Sequence, residues 1–159
     1  MSKILLRGLV VITFVVAAAA FLFPIFAKAK SGSYRNRCYS NLFQVAQTIS
    51  LYANDSDGVL PSADRWMDAL DRYTKWPNFQ LHDPEGVKAG DYGYAFRDKA
   101  SALNLSKVDN LKGYPVVFDS ILMQRNAHSE LGTLPHPGRH RGRDSIVYLD
   151  GHAKSLPMP

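Results

Sequence analysis

His140, Asp150 and His152, together with Asp119 at the end of a β-rich run, are the residues here whose types could do metal chemistry. Two imidazoles and two carboxylates suit zinc or a similar divalent cation. A plainer use competes for each of them. Asp150 and Gly151 form an Asp-Gly pair between two apolar-alternating runs, the pattern of a type I′ hairpin turn. His140 sits in a loop whose backbone it could brace by a hydrogen bond. The structural use is the leading expectation, and under it Gly151→Val is more damaging than His140→Gln, because a β-branched residue resists positive φ whereas glutamine can keep one hydrogen bond. No cofactor is otherwise expected.

Three further groups carry side chains suited to chemistry. Asn54, Asp55, Asp57 and Gly58 hold oxygens in a calcium-loop pattern but lack the downstream bidentate glutamate, so helix termination is the simpler reading. Arg139, His140, Arg141 and Arg143 make a local basic cluster without close aromatic neighbours for base stacking, which reads as a solvated loop rather than a nucleic-acid site. Cys38 is the single cysteine, so no intrachain disulfide can form, and its place on an apolar helix stripe makes it a small buried hydrophobe. No serine, cysteine or carboxylate pair stands in a recognisable nucleophile or general-acid setting. The expectation is a non-enzyme with no small-molecule substrate.

The elements that must position these residues begin with an apolar run from Gly8 to Phe26 that includes Leu9, Val10, Val11, Ile12, Phe14 and Pro24. Nineteen residues at helical rise span about 28 Å, close to the thickness of a bilayer's hydrocarbon core. Beyond it Cys38, Leu42, Val45, Ile49 and Tyr52 recur at intervals of four and three, so the helix continues to about residue 53 with one apolar face. Ser62 reads as the N-cap of a short helix carrying Trp66, Leu70 and Tyr73 on one side. Residues 77–90 read as loop, Tyr92, Tyr94 and Phe96 alternate as on a strand, and Tyr114 to Phe118 is β-rich. A Gly, Pro, His and Arg-rich loop from Gly132 to Arg143, expected to be mobile unless a ligand orders it, leads to the hairpin around Asp150-Gly151. The fold class is α+β, a long helix on a small antiparallel sheet, with an anchor at 1–30 and a head at 31–159.

Charge follows the same division. Of the net +5, six basic residues, Lys3, Arg7, Lys28, Lys30, Arg35 and Arg37, precede the first acid, while thirteen Lys and Arg face fourteen acids from Asp55 onwards. The excess belongs to the flanks of the apolar helix, where it suits lipid headgroups. The head keeps no general attraction for nucleic acid.

The string LVVITFVVAAAAFLFPIFAKAK from Leu9 is similar to the N-terminal segment of type IV pilin-like proteins. The group concerned combines a prepilin-type N-terminus with a C-terminal H-X9-DG signature, here His140 followed by nine residues and Asp150-Gly151. CYSNLFQVAQTISLYANDSDGVLP, Trp66, Leu70, Tyr73 and YGYAF keep the order of the same group. The resemblance implies a single-pass protein of a bacterial inner membrane, its head in the periplasm or exterior, packed with lipid and with other pilin-like subunits. It implies a minor pilin or pseudopilin role in a secretion or surface-filament system. Departures accompany it: Ser2, Lys3 and Arg7 stand where the prepilin motif has its glycine, aromatic and glutamate, and His82 stands where a second cysteine is common. Lysine and arginine counts alone would place the head on the cytoplasmic side. The alternative is a secreted or anchored ligand- or metal-binding head, released after cleavage at Ala27-Lys28-Ala29, near Ala29.

Overall fold

The computed structural model describes residues 3–74, 82, 91–140 and 142–158 of the chain. The loop expected at 77–90 lies outside the described residues apart from His82, as do Ser2 and Arg141. Two compact units divide at Ser33 and Tyr34.

Helix α1 runs from Lys3 to Asp55, with Pro24 inside it. In the first unit its apolar side chains are solvent-exposed, Phe14 at 74% and Phe21 at 77%. This is the one described helix long and apolar enough to cross a membrane. In the second unit the stripe foreseen from the four-and-three spacing is buried: Cys38, Leu42, Val45 and Ile49 join Ala46 and Ala53 in the main core. The helix ends where turn chemistry begins. The amides of Ser56 and Gly58 both donate to the Ala53 carbonyl, and Asp57 and Gly58 take positive φ. Asp55 Oδ2 accepts the Tyr73 hydroxyl at 2.9 Å, so these oxygens serve helix termination and packing.

The short helical stretch after Ser62 is broken into a 3-10 turn, helix α2 at Trp66–Leu70 and a second 3-10 turn. Ser62 occupies the cap position, but its hydroxyl donates to the Asp64 carboxylate instead of receiving a backbone amide. Trp66 is fully buried, and its indole N–H donates to the Ala127 carbonyl at 3.0 Å.

Among the described residues five strands form the sheet: β1 (Tyr94–Arg97), β2 (Pro115–Asp119), β3 (His128–Ser129), β4 (Arg143–Tyr148) and β5 (Ala153–Pro157). Their order is β3-β1-β2-β4-β5. The expected antiparallel sheet is mixed, because two-residue β3 pairs parallel to β1. Strand alternation sorts the side chains into two layers. Tyr94, Phe96, Val117 and Val147 enter the core that contains the α1 stripe, whereas Ala95, Phe118 and Ile146 enter a smaller core with Leu122, Leu131 and Leu134.

The hairpin joining β4 and β5 is present, but its turn is not the two-residue type I′ expected. The Gly151 amide donates to the Tyr148 carbonyl and the Tyr148 amide to the His152 carbonyl, which leaves a three-residue loop, Leu149 to Gly151. Only Gly151 in that loop has positive φ, at 89°. This is the arrangement of a type I turn followed by a left-handed glycine. Leu149, 8% exposed, shares the main core with Val147 two residues before it, and its amide donates to the Tyr114 carbonyl at 3.0 Å.

Candidate functional site

The site starts from register. Tyr94 on β1 stands opposite Asp119 on β2, and Asp119 lies two residues beyond Val117, so both project toward the layer that holds α1. Cys38, at the start of the buried stripe, lies over them. Its thiol donates to Asp119 Oδ1 at 3.5 Å and accepts the Tyr94 hydroxyl at 3.5 Å. From the loop before β4, His140 brings Nε2 to 3.5 Å from Asp119 Oδ2. That same oxygen accepts the Ser145 amide at 2.7 Å. One sulfur, one carboxylate oxygen and one imidazole nitrogen lie within 4.8 Å of one another, and all three residues are buried.

Burial makes this cluster costly to assemble from polar parts. An isolated carboxylate in such surroundings would be penalised by several kcal/mol, and the penalty is offset here by amide, thiol and imidazole neighbours. The loop before β4 supplies the imidazole through a tight backbone arrangement. The His140 amide donates to the Arg143 carbonyl at 2.9 Å and the Gly142 amide to the Gly138 carbonyl at 2.8 Å. A Cβ on Gly138 would sit 2.5 Å from the Arg143 nitrogen, so only glycine allows this crossing.

The remaining expected members of the metal set are elsewhere. Asp150 and His152 flank Gly151 and bond to each other: Asp150 Oδ1 accepts the His152 amide at 3.2 Å and also meets its Nδ1. The His152 ring stacks on Tyr148, with centroids 4.4 Å apart. Both residues are exposed. His140 precedes β4 and Asp150 follows it, and a six-residue strand separates its ends by about 20 Å. The four-residue set His140, Asp150, His152 and Asp119 is therefore corrected to two pairs. His140 and Asp119 come together with Cys38, and Asp150 and His152 serve the turn.

Electrostatics differ accordingly. Burial pushes the Asp150 carboxyl up, but hydrogen bonds from the His152 ring and amide outweigh it and leave the group below its ordinary value. A similar exposed arrangement stands at α2. The Arg125 side chain, and after it the Asn126 amide, hold the Asp68 carboxyl below its ordinary value. The guanidinium also reaches Asp71 at 2.7 Å.

The basic cluster is corrected as well. Arg139 donates from its guanidinium to the carbonyls of Gly93 at 3.3 Å and Ser120 at 2.6 Å, and its amide donates to Asp144 Oδ1 at 2.8 Å. Arg143 donates to the Ser155 carbonyl at 2.6 Å. Both arginines tie the loop to neighbouring strands, and His140 is buried, so the described members of the cluster are engaged by the fold itself. Charge counting read them as solvent-facing because it does not see the carbonyls at strand ends.

Sequence reasoning missed Cys38 as a polar partner. Two signals pointed to it: a helix stripe that buries its sulfur, and a β-rich run that ends in a carboxylate two residues from a core valine. Comparison with family models, curated proteins and solved structures gives no match to this chain.

Proposed function

We propose that the chain is a membrane-anchored, pilin-like structural subunit of minor-pilin or pseudopilin type, serving a secretion or surface-filament system of a bacterial inner membrane. The observation that carries this reading is helix α1. One continuous helix from Lys3 to Asp55 has an exposed apolar half of membrane-spanning length and a second half whose stripe is buried in an α+β head. The exposed half suits lipid or the helices of neighbouring subunits, with Ala17 to Ala20 permitting close approach. The head lies in the periplasm or exterior and contributes packing surface, not catalysis.

Arg7 is the residue that sets this subunit apart in the proposal. Beside Lys3 it places a second positive charge where a pilin-like neighbour would present its amino terminus, and like charges in low dielectric repel. The subunit therefore takes a minor or initiating place and does not polymerise on its own. Membrane fractionation with intact mass tests the anchor directly. An uncut chain that stays with membranes after carbonate washing supports the reading. A soluble chain beginning at Lys30 would replace it with the secreted binding head.

A further inference from the structure

We propose that Cys38, Asp119 and His140 form a structural zinc site. Zinc bonds to sulfur at about 2.3 Å and to imidazole nitrogen or carboxylate oxygen at about 2.0 Å, in tetrahedral arrangement. Those bond lengths set the ligand-to-ligand edges at roughly 3.5 Å for sulfur to oxygen and roughly 3.3 Å for nitrogen to oxygen. The observed separations are 3.5 Å for Cys38 Sγ to Asp119 Oδ1 and 3.5 Å for His140 Nε2 to Asp119 Oδ2. The two separations run to different oxygens of Asp119; with one donor atom from each residue the three fall within 4.8 Å of one another, so the thiol and the imidazole, as well as the carboxylate, must draw in by up to about 1 Å to share one ion.

Donor chemistry selects the ion. A thiolate with an imidazole favours zinc over calcium or magnesium, which take oxygen ligands. Binding releases the thiol proton to solvent, and thiolate plus carboxylate then neutralise the dication, so the buried site carries no net charge. Tyr94 Oη lies 3.5 Å from the sulfur, and its hydroxyl or a water would supply the fourth ligand. The Ser145 amide, bonded to Asp119 Oδ2 at 2.7 Å, orients the carboxylate as an outer partner.

Complete burial assigns the ion a structural task. Cys38 is 0% exposed, Asp119 0% and His140 2%, so no substrate reaches the centre. Zinc there joins helix α1, the end of strand β2 and the loop that opens β4. These three segments are far apart in sequence, and an ion shared among them opposes their separation on unfolding. The single cysteine thus supplies a cross-link that no disulfide within the chain can make.

The test uses the full-length protein in detergent, with zinc and cobalt as the probes. After removal of loosely bound metal, mass spectrometry should find one zinc per chain. Cobalt exchanged into the metal-free protein should show a thiolate-to-cobalt charge-transfer absorption. Cys38→Ser, which keeps the size of the side chain and a hydrogen-bonding group, and His140→Gln should each weaken binding by about ten-fold or more and Cys38→Ser should abolish the absorption. His152→Gln and Asp150→Asn should leave both readouts unchanged. Chelation should lower the melting temperature of the wild-type chain, and zinc should restore it. Absence of stoichiometric metal, no charge-transfer absorption in the wild-type chain and a melting temperature insensitive to zinc would overturn the proposal and leave the cluster as a buried hydrogen-bonded group. The wild-type cobalt spectrum decides the matter even where a variant fails to fold.

Discussion

Strand β4 has an acid and a histidine near each end, and the two pairs live in different surroundings. At its start, His140 meets Asp119 under Cys38 with every side chain buried. At its end, Asp150 meets His152 in an exposed turn stacked against Tyr148. The residue types are the same, but the dielectric is not. A pair in water contributes between nothing and about 1 kcal/mol, while removing one partner of a buried pair costs about 3 to 5 kcal/mol because the other is left without compensation. The H-X9-DG spacing therefore joins two unlike structural devices across the length of one strand.

The largest break in this comparison should come from His140→Ala. It removes a buried ring and a partner of Asp119, and a loss of about 3 to 5 kcal/mol is expected in chemical denaturation. Next is Gly138→Ala. Its Cβ would meet backbone at 2.5 Å, which a flexible side chain cannot relieve, so about 1 to 3 kcal/mol should be lost in the same measurement. Gly151→Ala should cost only about 1 kcal/mol, since space around that position is open and the penalty is confined to its φ of 89°. The ranking read from the sequence concerns another pair, Gly151→Val above His140→Gln, and the alanine pair separates the buried ring from the φ penalty. A Gly151→Ala loss exceeding that of His140→Ala would contradict the contrast between the two ends of β4.

Part of this was legible in the residues alone. The interval of Cys38, Leu42, Val45 and Ile49 gave the buried face of α1, because helical period depends only on local geometry. Tyr94 and Phe96 likewise revealed β1, although Tyr92 of the same alternation lies before the strand, and the Asp-Gly pair located the hairpin. The turn type was not legible, since an Asp-Gly pair fits both a two-residue type I′ turn and a three-residue loop that ends in a left-handed glycine. Strand β3 is two residues long and exists only because β1 offers an edge, so it leaves no periodic trace. The Cys38 cluster gathers residues 38, 119 and 140, and no local pattern records that meeting.

The smallest effect belongs to acid. Asp150 has its folded value lowered, so its contribution is present above its unfolded value near 3.8 and is lost as pH falls through the lowered folded value. Asp68 beside Arg125 follows the same direction. His152→Ala should flatten the acid limb of a stability-against-pH curve below about pH 4 and change stability at neutral pH by less than about 1 kcal/mol. A marked change confined to neutral or alkaline pH would contradict the assignment of Asp150 to the turn.

The contrast between the two ends of β4 is tested most directly by thermal and denaturant melting of Asp119→Asn and Asp150→Asn side by side in the full-length chain. Each replacement keeps the size of the side chain and removes the charge. The account predicts a loss of at least about 2 kcal/mol for Asp119→Asn, where a buried acceptor becomes partly a donor facing the Ser145 amide and His140. It predicts less than about 1 kcal/mol for Asp150→Asn. Equal losses, or a larger loss at Asp150, would contradict it.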